Sequence, residues 1–94
     1  MSYYVYMILT KINDRYITYV GYTNNIKKRL SLHNNSKGAK FTKGKFWKLI
    51  FKKKYKTKKM AMRDEYKLKK NRIKRNNIKK KFILNNENIN TFTL

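Results

Sequence analysis

Tyr3-Tyr4-Val5-Tyr6-Met7-Ile8-Leu9, then Lys11-Ile12-Asn13-Asp14, then Arg15-Tyr16-Ile17-Thr18-Tyr19-Val20: this stretch decides the fold. The first run is rich in β-branched and aromatic residues, the composition of a buried strand. Asn13-Asp14 is a turn signal, and the run after it has the same strand character, so the chain opens with a β-hairpin that Gly21 ends. Two connections are open. A four-residue link over 11–14 sets Tyr6 directly opposite Tyr19, whereas a two-residue Asn13-Asp14 loop shifts the pairing by two. Side chains alternate between faces with a period of two, so Tyr6 and Tyr19 share one face in either register. The plain alternative to a functional pair of phenols is an aromatic cross-strand contact.

Working outward, Thr23 or Asn24 is placed to cap a helix over about 25–34, with Ile26, Leu30 and His33 along one face. Residues 36–45 hold two Gly and four Lys and read as an exposed loop. Phe46 to Phe51 reads as a third strand that gives way to the Lys52-Lys53-Lys54 run. Thr57 caps a second helix over about 58–70, with Met60, Ala61, Glu65 and Leu68 near one face. A third helical stretch over about 73–84 carries Ile73, Ile78, Phe82 and Ile83. Residues 1–84 form the domain in this reading, and 85–94 a frayed polar tail. The order β-β-α-β-α-α predicts an α+β fold, a small three-stranded antiparallel sheet flanked by helices.

Composition narrows the function. A chain of 94 residues is one domain. With no cysteine and one histidine, disulfides, thiolate zinc sites, cysteine nucleophiles and multi-histidine metal clusters are excluded. The longest apolar run, Tyr3 to Leu9, is far short of the ~20 residues that span a bilayer. Nothing reads as a signal peptide. The expected setting is therefore cytoplasmic, or nucleoid- or nucleus-associated, and neither secreted nor at a membrane. Lys plus Arg number 26 against 4 acids, a formal charge of +22. Codon usage in an AT-rich genome inflates lysine, yet it does not explain the scarcity of acids. A charge this one-sided points to a nucleic-acid partner bound through counterion release. Residues 1–47 carry nine basic residues and one acid (+8), and 48–94 carry seventeen and three (+14), so the C-terminal half is the heavier footprint.

So few acids make the search for a metal ligand short. Asp14 lies in the hairpin turn and Glu87 in the tail. Asp64 and Glu65 are adjacent on the second helix, hence about 100° apart, and do not face one site together. Glu65 shares the inward side with Ala61 and Leu68, where a carboxylate needs a basic partner or a metal. Arg29 and His33 stand one turn apart on the first helix. Chance placement among so many basic residues is the plain alternative for that pair.

Taken together, Tyr4-Val5-Tyr6, Tyr19-Val20-Gly21-Tyr22-Thr23-Asn24-Asn25, Arg29-Leu30 with His33-Asn34, Gly38-Ala39-Lys40-Phe41-Thr42, and Ala61-Met62-Arg63-Asp64-Glu65-Tyr66 with Lys69-Lys70 resemble the GIY-YIG nuclease superfamily. The likeness is to its small stand-alone branch, related to the catalytic domain of structure-selective nucleases that cut branched DNA. It runs from about Tyr3 to Phe82. The first block reads Tyr-Val-Tyr where the family has Gly-Ile-Tyr, and Tyr6 keeps its place. The resemblance implies a metal-dependent endonuclease hydrolysing phosphodiester bonds in DNA, branched or flap structures included, with roles in repair and recombination. It implies Glu65 as the ligand of one Mg²⁺ (or Mn²⁺), Tyr6 and Tyr19 at the scissile phosphate with one helping to activate water, Arg29 neutralising charge, and His33 in water activation or phosphate contact. An Asn after the second helix joins some family sites, and Asn71, Asn76 and Asn77 are all available. Lys27, Lys28, Lys37, Lys40, Lys43, Lys69 and Lys70 are the expected nucleic-acid contacts. A lone carboxylate suits a hard cation that keeps much of its water. The rival reading is a non-catalytic basic binding module. The residues do not separate DNA from RNA, and substrate targeting falls to the loop, the C-terminal half or a partner protein.

Overall fold

The computed structural model describes the backbone of residues 1–93 and the side chains through Asn86. Strand β1 spans Tyr3–Ile12 and β2 spans Arg15–Thr23. They are joined at Asn13 and Asn13's neighbour Asp14, both with positive φ (50° and 65°), the geometry of a two-residue hairpin turn. That turn selects the shifted register: Tyr6 pairs with Gly21 and Ile8 with Tyr19. Helix α1 spans Ile26–Asn34, β3 Lys48–Tyr55, α2 Lys58–Lys70 and α3 Arg72–Thr93, with a single 3₁₀ turn at Lys40–Thr42 before β3. The sheet order is β2-β1-β3, all antiparallel, so β1 is central and β2 and β3 are edges.

Alternation along β1 divides the core into two layers. Val5 and Met7 pack with Val20, Ala61 and Leu68, which puts α2, and α3 through Ile78, on one face. Tyr6 and Ile8 pack with Trp47, Ile26 and Leu30, which puts α1 and the 3₁₀ segment on the other. Thr57 caps α2 as the sequence suggests, accepting from the Met60 N–H at 3.2 Å.

Several boundaries differ from the sequence reading; β2 does not end at Gly21 but runs through it to Thr23. Asn25, not Thr23 or Asn24, caps α1, because its Oδ1 accepts the Lys28 N–H at 3.0 Å while the Thr23 hydroxyl is taken by the Asn25 N–H. β3 begins two residues late. The Trp47 N–H donates to Asn34 Oδ1 (2.6 Å) and its carbonyl accepts from Asn34 Nδ2 (3.2 Å), so Trp47 has no backbone group left for the ladder. Lys52 to Lys54 fall inside β3, opposite Tyr6, Val5 and Tyr4, where an edge strand tolerates and benefits from lysine. The loop over 36–45 is only partly exposed, since Thr42 is fully buried. α3 passes Leu84 and continues to Thr93, with neither Gly nor Pro to stop it and the Asn86 side chain bonded to the Phe82 carbonyl (2.8 Å). The side chains of the expected tail beyond Asn86 lie outside the described residues. Met60, expected near one face of α2 with Ala61 and Leu68, points outward (39% exposed).

A candidate active site at the β2 edge

Tyr6 starts on the central strand, yet its phenol reaches toward the edge because its partner in β2 is Gly21. A Cβ at Gly21 would sit inside the van der Waals radius of the Tyr6 ring and hydroxyl, so the ring lies across that glycine. The Tyr6 hydroxyl meets His33 Nε2 at 2.7 Å, and both residues are buried. Tyr19, on the same face of the neighbouring strand, stands edge-on to the His33 ring with centroids 5.3 Å apart. The two tyrosines expected to share a face do so, and α1, packed on that face, supplies the imidazole.

His33 is held from its other side as well. Its Nδ1 lies 2.9 Å from Thr42 Oγ1, and the same hydroxyl lies 2.8 Å from the Ala39 carbonyl. Gly38 makes the approach possible, since a Cβ there would overlap Nδ1. Burial pushes the His33 pKa below its usual value, and the Arg29 charge adds to that, so the ring is neutral near pH 7. Burial raises the Tyr6 pKa. The Arg29 guanidinium beside the phenol pulls it back down, and the nearby Tyr19 and Glu65 push it up further. Tyr19, Arg29 and Glu65 thus each lie within electrostatic reach of the Tyr6 phenol.

Arg29 sits one turn before His33 on α1. Its Nε is buried and has no hydrogen-bond partner among the described residues. An unsatisfied buried cationic donor is costly unless something fills it, and an anion oxygen is the natural occupant. Glu65 comes from the opposite layer, on α2. Its side chain is 16% exposed and faces Lys69 Nζ at 3.6 Å, an i,i+4 pair. Asp64 points elsewhere. It lies beside Tyr55, whose phenol burial and that carboxylate push up to about 12, while the Tyr55 hydroxyl lowers the Asp64 pKa. The hundred-degree offset between adjacent helical positions separates the two acids as expected.

The expected nucleic-acid lysines, Lys27, Lys28, Lys37, Lys40, Lys43, Lys69 and Lys70, are all exposed. Two are engaged within the chain: Lys69 with Glu65, and Lys70 over the Tyr66 ring at 4.3 Å. Of the three asparagines, Asn71 is committed to structure, its Oδ1 accepting the Lys74 N–H at 3.1 Å at the start of α3. Asn76 is half-buried and Asn77 exposed on the same helix. Thr42 and Phe41 carry parts of the site that no local signal assigns. Phe41 is 52% exposed and lies nearly parallel to Tyr19, with centroids 6.2 Å apart. Thr42 is nine residues from His33 in sequence, so only tertiary packing reveals the contact.

No group of three or more His, Cys, Asp or Glu side chains converges among the described residues. The donor chemistry for a metal is thus one carboxylate, Glu65, whose neighbour Lys69 stands beyond hydrogen-bonding distance. A single hard oxygen ligand at a half-open site fits a hydrated divalent cation such as Mg²⁺. It does not fit a zinc site, which takes three or four protein ligands.

A family model described as the GIY-YIG catalytic domain matches residues 2–81. UPF0213 protein OB0043 of Oceanobacillus iheyensis is 39% identical over 69 residues, covering 72% of this chain and 77% of the relative. UPF0213 protein YazA of Bacillus subtilis is 41% identical over 70 residues, covering 73% and 68%. Among solved structures, the solution NMR structure of UPF0213 protein BH0048 of Bacillus halodurans is 35% identical, with a TM-score of 0.45 over 83% of this chain and 82% of that one.

Proposed function

Because the chain belongs to the GIY-YIG family, a family of nucleases, and matches UPF0213 proteins within it, we propose that it is a divalent-metal-dependent endonuclease hydrolysing DNA phosphodiester bonds at the β2 edge. One observation carries the reading: the Tyr6 phenol is buried against His33 Nε2, with the Arg29 guanidinium, whose Nε is buried and unpartnered among the described residues, and the Glu65 carboxylate both near enough to shift its pKa.

Each side chain then has a task. Arg29 binds a non-bridging phosphate oxygen through its fork of donors, including the Nε that lacks a partner. As charge builds on the phosphate, that contact strengthens, which is how a fixed guanidinium lowers a barrier. The Tyr6 oxygen takes a proton from the attacking water while its own proton passes to His33 Nε2 at 2.7 Å. The transfer is concerted, so the buried phenol never carries a full negative charge, in keeping with its raised pKa. Tyr19 presents its hydroxyl to the same phosphate. Glu65 would hold a divalent cation, which would supply neutralisation of the phosphate's negative charge. Lys27, Lys28, Lys37, Lys40, Lys43, Lys69 and Lys70 grip the flanking backbone. The protein acts where the DNA is, in the cytoplasm or on the nucleoid.

The test is incubation with supercoiled plasmid, duplex, flap and branched DNA, each with Mg²⁺, with Mn²⁺ and with chelator. Metal-dependent nicking or strand cutting is expected. Tight, salt-sensitive binding with no cleavage of any substrate in either metal would leave the non-catalytic binding module as the function.

A further inference from the structure

We propose that Thr42 is a positioning residue of this site: its hydroxyl locks His33 in the Nδ1–H tautomer and so keeps Nε2 bare to accept the Tyr6 proton. The catalytic consequence rests on the nuclease reading. The tautomer assignment does not.

The direction of each hydrogen bond follows from counting protons. A threonine hydroxyl has one proton and two lone pairs, and a carbonyl has none to give. At 2.8 Å from the Ala39 carbonyl, Thr42 Oγ1 donates its single proton there. Toward His33 Nδ1 at 2.9 Å it therefore offers a lone pair, and Nδ1 must carry a hydrogen. The ring is neutral, so Nε2 carries none and accepts from the Tyr6 hydroxyl at 2.7 Å. The opposite tautomer would turn the Thr42 proton toward Nδ1 and leave two oxygen lone pairs facing each other at the part-buried contact between Ala39 and Thr42.

The surrounding loop is shaped to hold that hydroxyl. Gly38 lets the backbone pass over Nδ1 where a Cβ would collide. The Thr42 N–H also donates to the Ala39 carbonyl (3.0 Å), closing the 3₁₀ turn around the same acceptor. The Thr42 carbonyl accepts the Trp47 indole N–H at 3.1 Å, and Asn34, next to His33, clamps the Trp47 backbone. The loop is thus tied back to the helix that carries the imidazole. A residue whose polar side-chain contacts among the described residues are a carbonyl and a ring nitrogen is well suited to orient the ring, as outer partners orient histidines elsewhere.

His33 is the one histidine of the chain, so its ring nitrogens can be observed directly by long-range ¹H–¹⁵N correlation in metal-free protein with chelator present. The wild type should show a protonated Nδ1 and an unprotonated Nε2. Thr42→Ser should keep that pattern. Thr42→Val, nearly isosteric but without a hydroxyl, should shift the population toward Nε2–H. Cleavage by Thr42→Val, measured as a single-turnover rate at saturating DNA, should fall by at least about tenfold with little change in Kd, and Thr42→Ser should restore it. A wild-type spectrum showing Nε2–H overturns the proposal, even if Thr42→Val does not fold. So does a folded Thr42→Val that keeps the wild-type tautomer. A wild type with the expected tautomer but no cleavage would count against the nuclease reading and leave the role of Thr42 in orienting the ring standing.

Discussion

The two faces of the sheet are built from one strand yet differ in what they bury. Toward α2 and α3, Val5, Met7, Val20, Ala61 and Leu68 close an apolar layer. Toward α1 and the 3₁₀ turn, the same strand buries Tyr6 against His33 and Thr42, and every polar group in that relay has a partner. A buried hydrogen-bonded relay is sensitive to the loss of any member, while an apolar layer loses stability roughly in proportion to the atoms removed. One face is therefore expected to govern how long the protein stays folded and the other how fast it acts. Glu65 is the exception, carried on α2 with the apolar layer yet near enough for its charge to raise the Tyr6 pKa.

That exception gives the largest expected effect. Glu65→Ala should abolish metal-dependent cleavage while leaving the circular dichroism spectrum and most DNA affinity in place. Asp64→Ala should cleave nearly as the wild type does, because Asp64 faces Tyr55 on the far side of α2. Plasmid nicking across a Mg²⁺ titration reads both. An inactive Asp64→Ala beside an active Glu65→Ala would reverse the assignment.

The next test sets one face directly against the other. Tyr6→Phe removes a single hydroxyl and should cut the single-turnover rate by about 10²–10⁴, the usual range for a positioned proton-transfer group. Arg29→Ala should cost about 10² or more in the same rate, a few kcal/mol of transition-state stabilisation. Val5→Ala, one position along β1 but facing the other way, should lose about 2 kcal/mol of stability. Its rate, measured well below its Tm, should match the wild type. A slow, stable Val5→Ala would erase the distinction between the layers.

What the sequence made legible follows the same division. The shared face of Tyr6 and Tyr19 could be read because strand parity survives either turn length, and α2 because Thr57 and the spacing of Ala61, Glu65 and Leu68 agree. The start of β3 could not be read, since it depends on Asn34 capturing the Trp47 backbone across thirteen residues. The exposed-loop reading of 36–45 failed for the same reason. Lys37, Lys40 and Lys43 do face water, but Thr42 is buried against a helix whose position no local pattern specifies. Met60 points outward because helix phase alone does not say how wide a stripe the neighbouring layer covers.

A smaller effect concerns pH. Folding lowers the His33 pKa from its ordinary value near 6.5, so below that value the unfolded chain binds the proton more readily than the folded one. The contribution of this group to stability is then full above about pH 6.5 and falls as the pH drops toward the folded pKa. Chemical denaturation between about pH 7 and 5 should show that decline, and His33→Gln should flatten it. A decline of equal slope in His33→Gln would assign the dependence to other groups. The acid limb of the cleavage rate should likewise lie below 6.5, since only neutral His33 accepts the Tyr6 proton.

The smallest effects belong to residues on neither layer. Lys27 and Lys28 precede Arg29 on α1 and are exposed, so their contacts with a phosphate backbone are made through water-facing, salt-screened charge. Replacing either with Ala removes the same formal charge as Arg29→Ala. If the polar face is the working one, the three variants must nevertheless part company. Lys27→Ala and Lys28→Ala should each weaken DNA binding by less than about tenfold and flatten the slope of log Kd against log salt by about 0.9. Their saturated single-turnover rates should stay at the wild-type level. Arg29→Ala should do the reverse, sparing Kd within about tenfold and losing the rate, with Arg29→Lys regaining only part of it because charge returns without the fork. Three alanine variants with equal losses, all in Kd and all rescued by low salt, would mean that the guanidinium is one more surface charge and that the buried relay beside it serves packing alone.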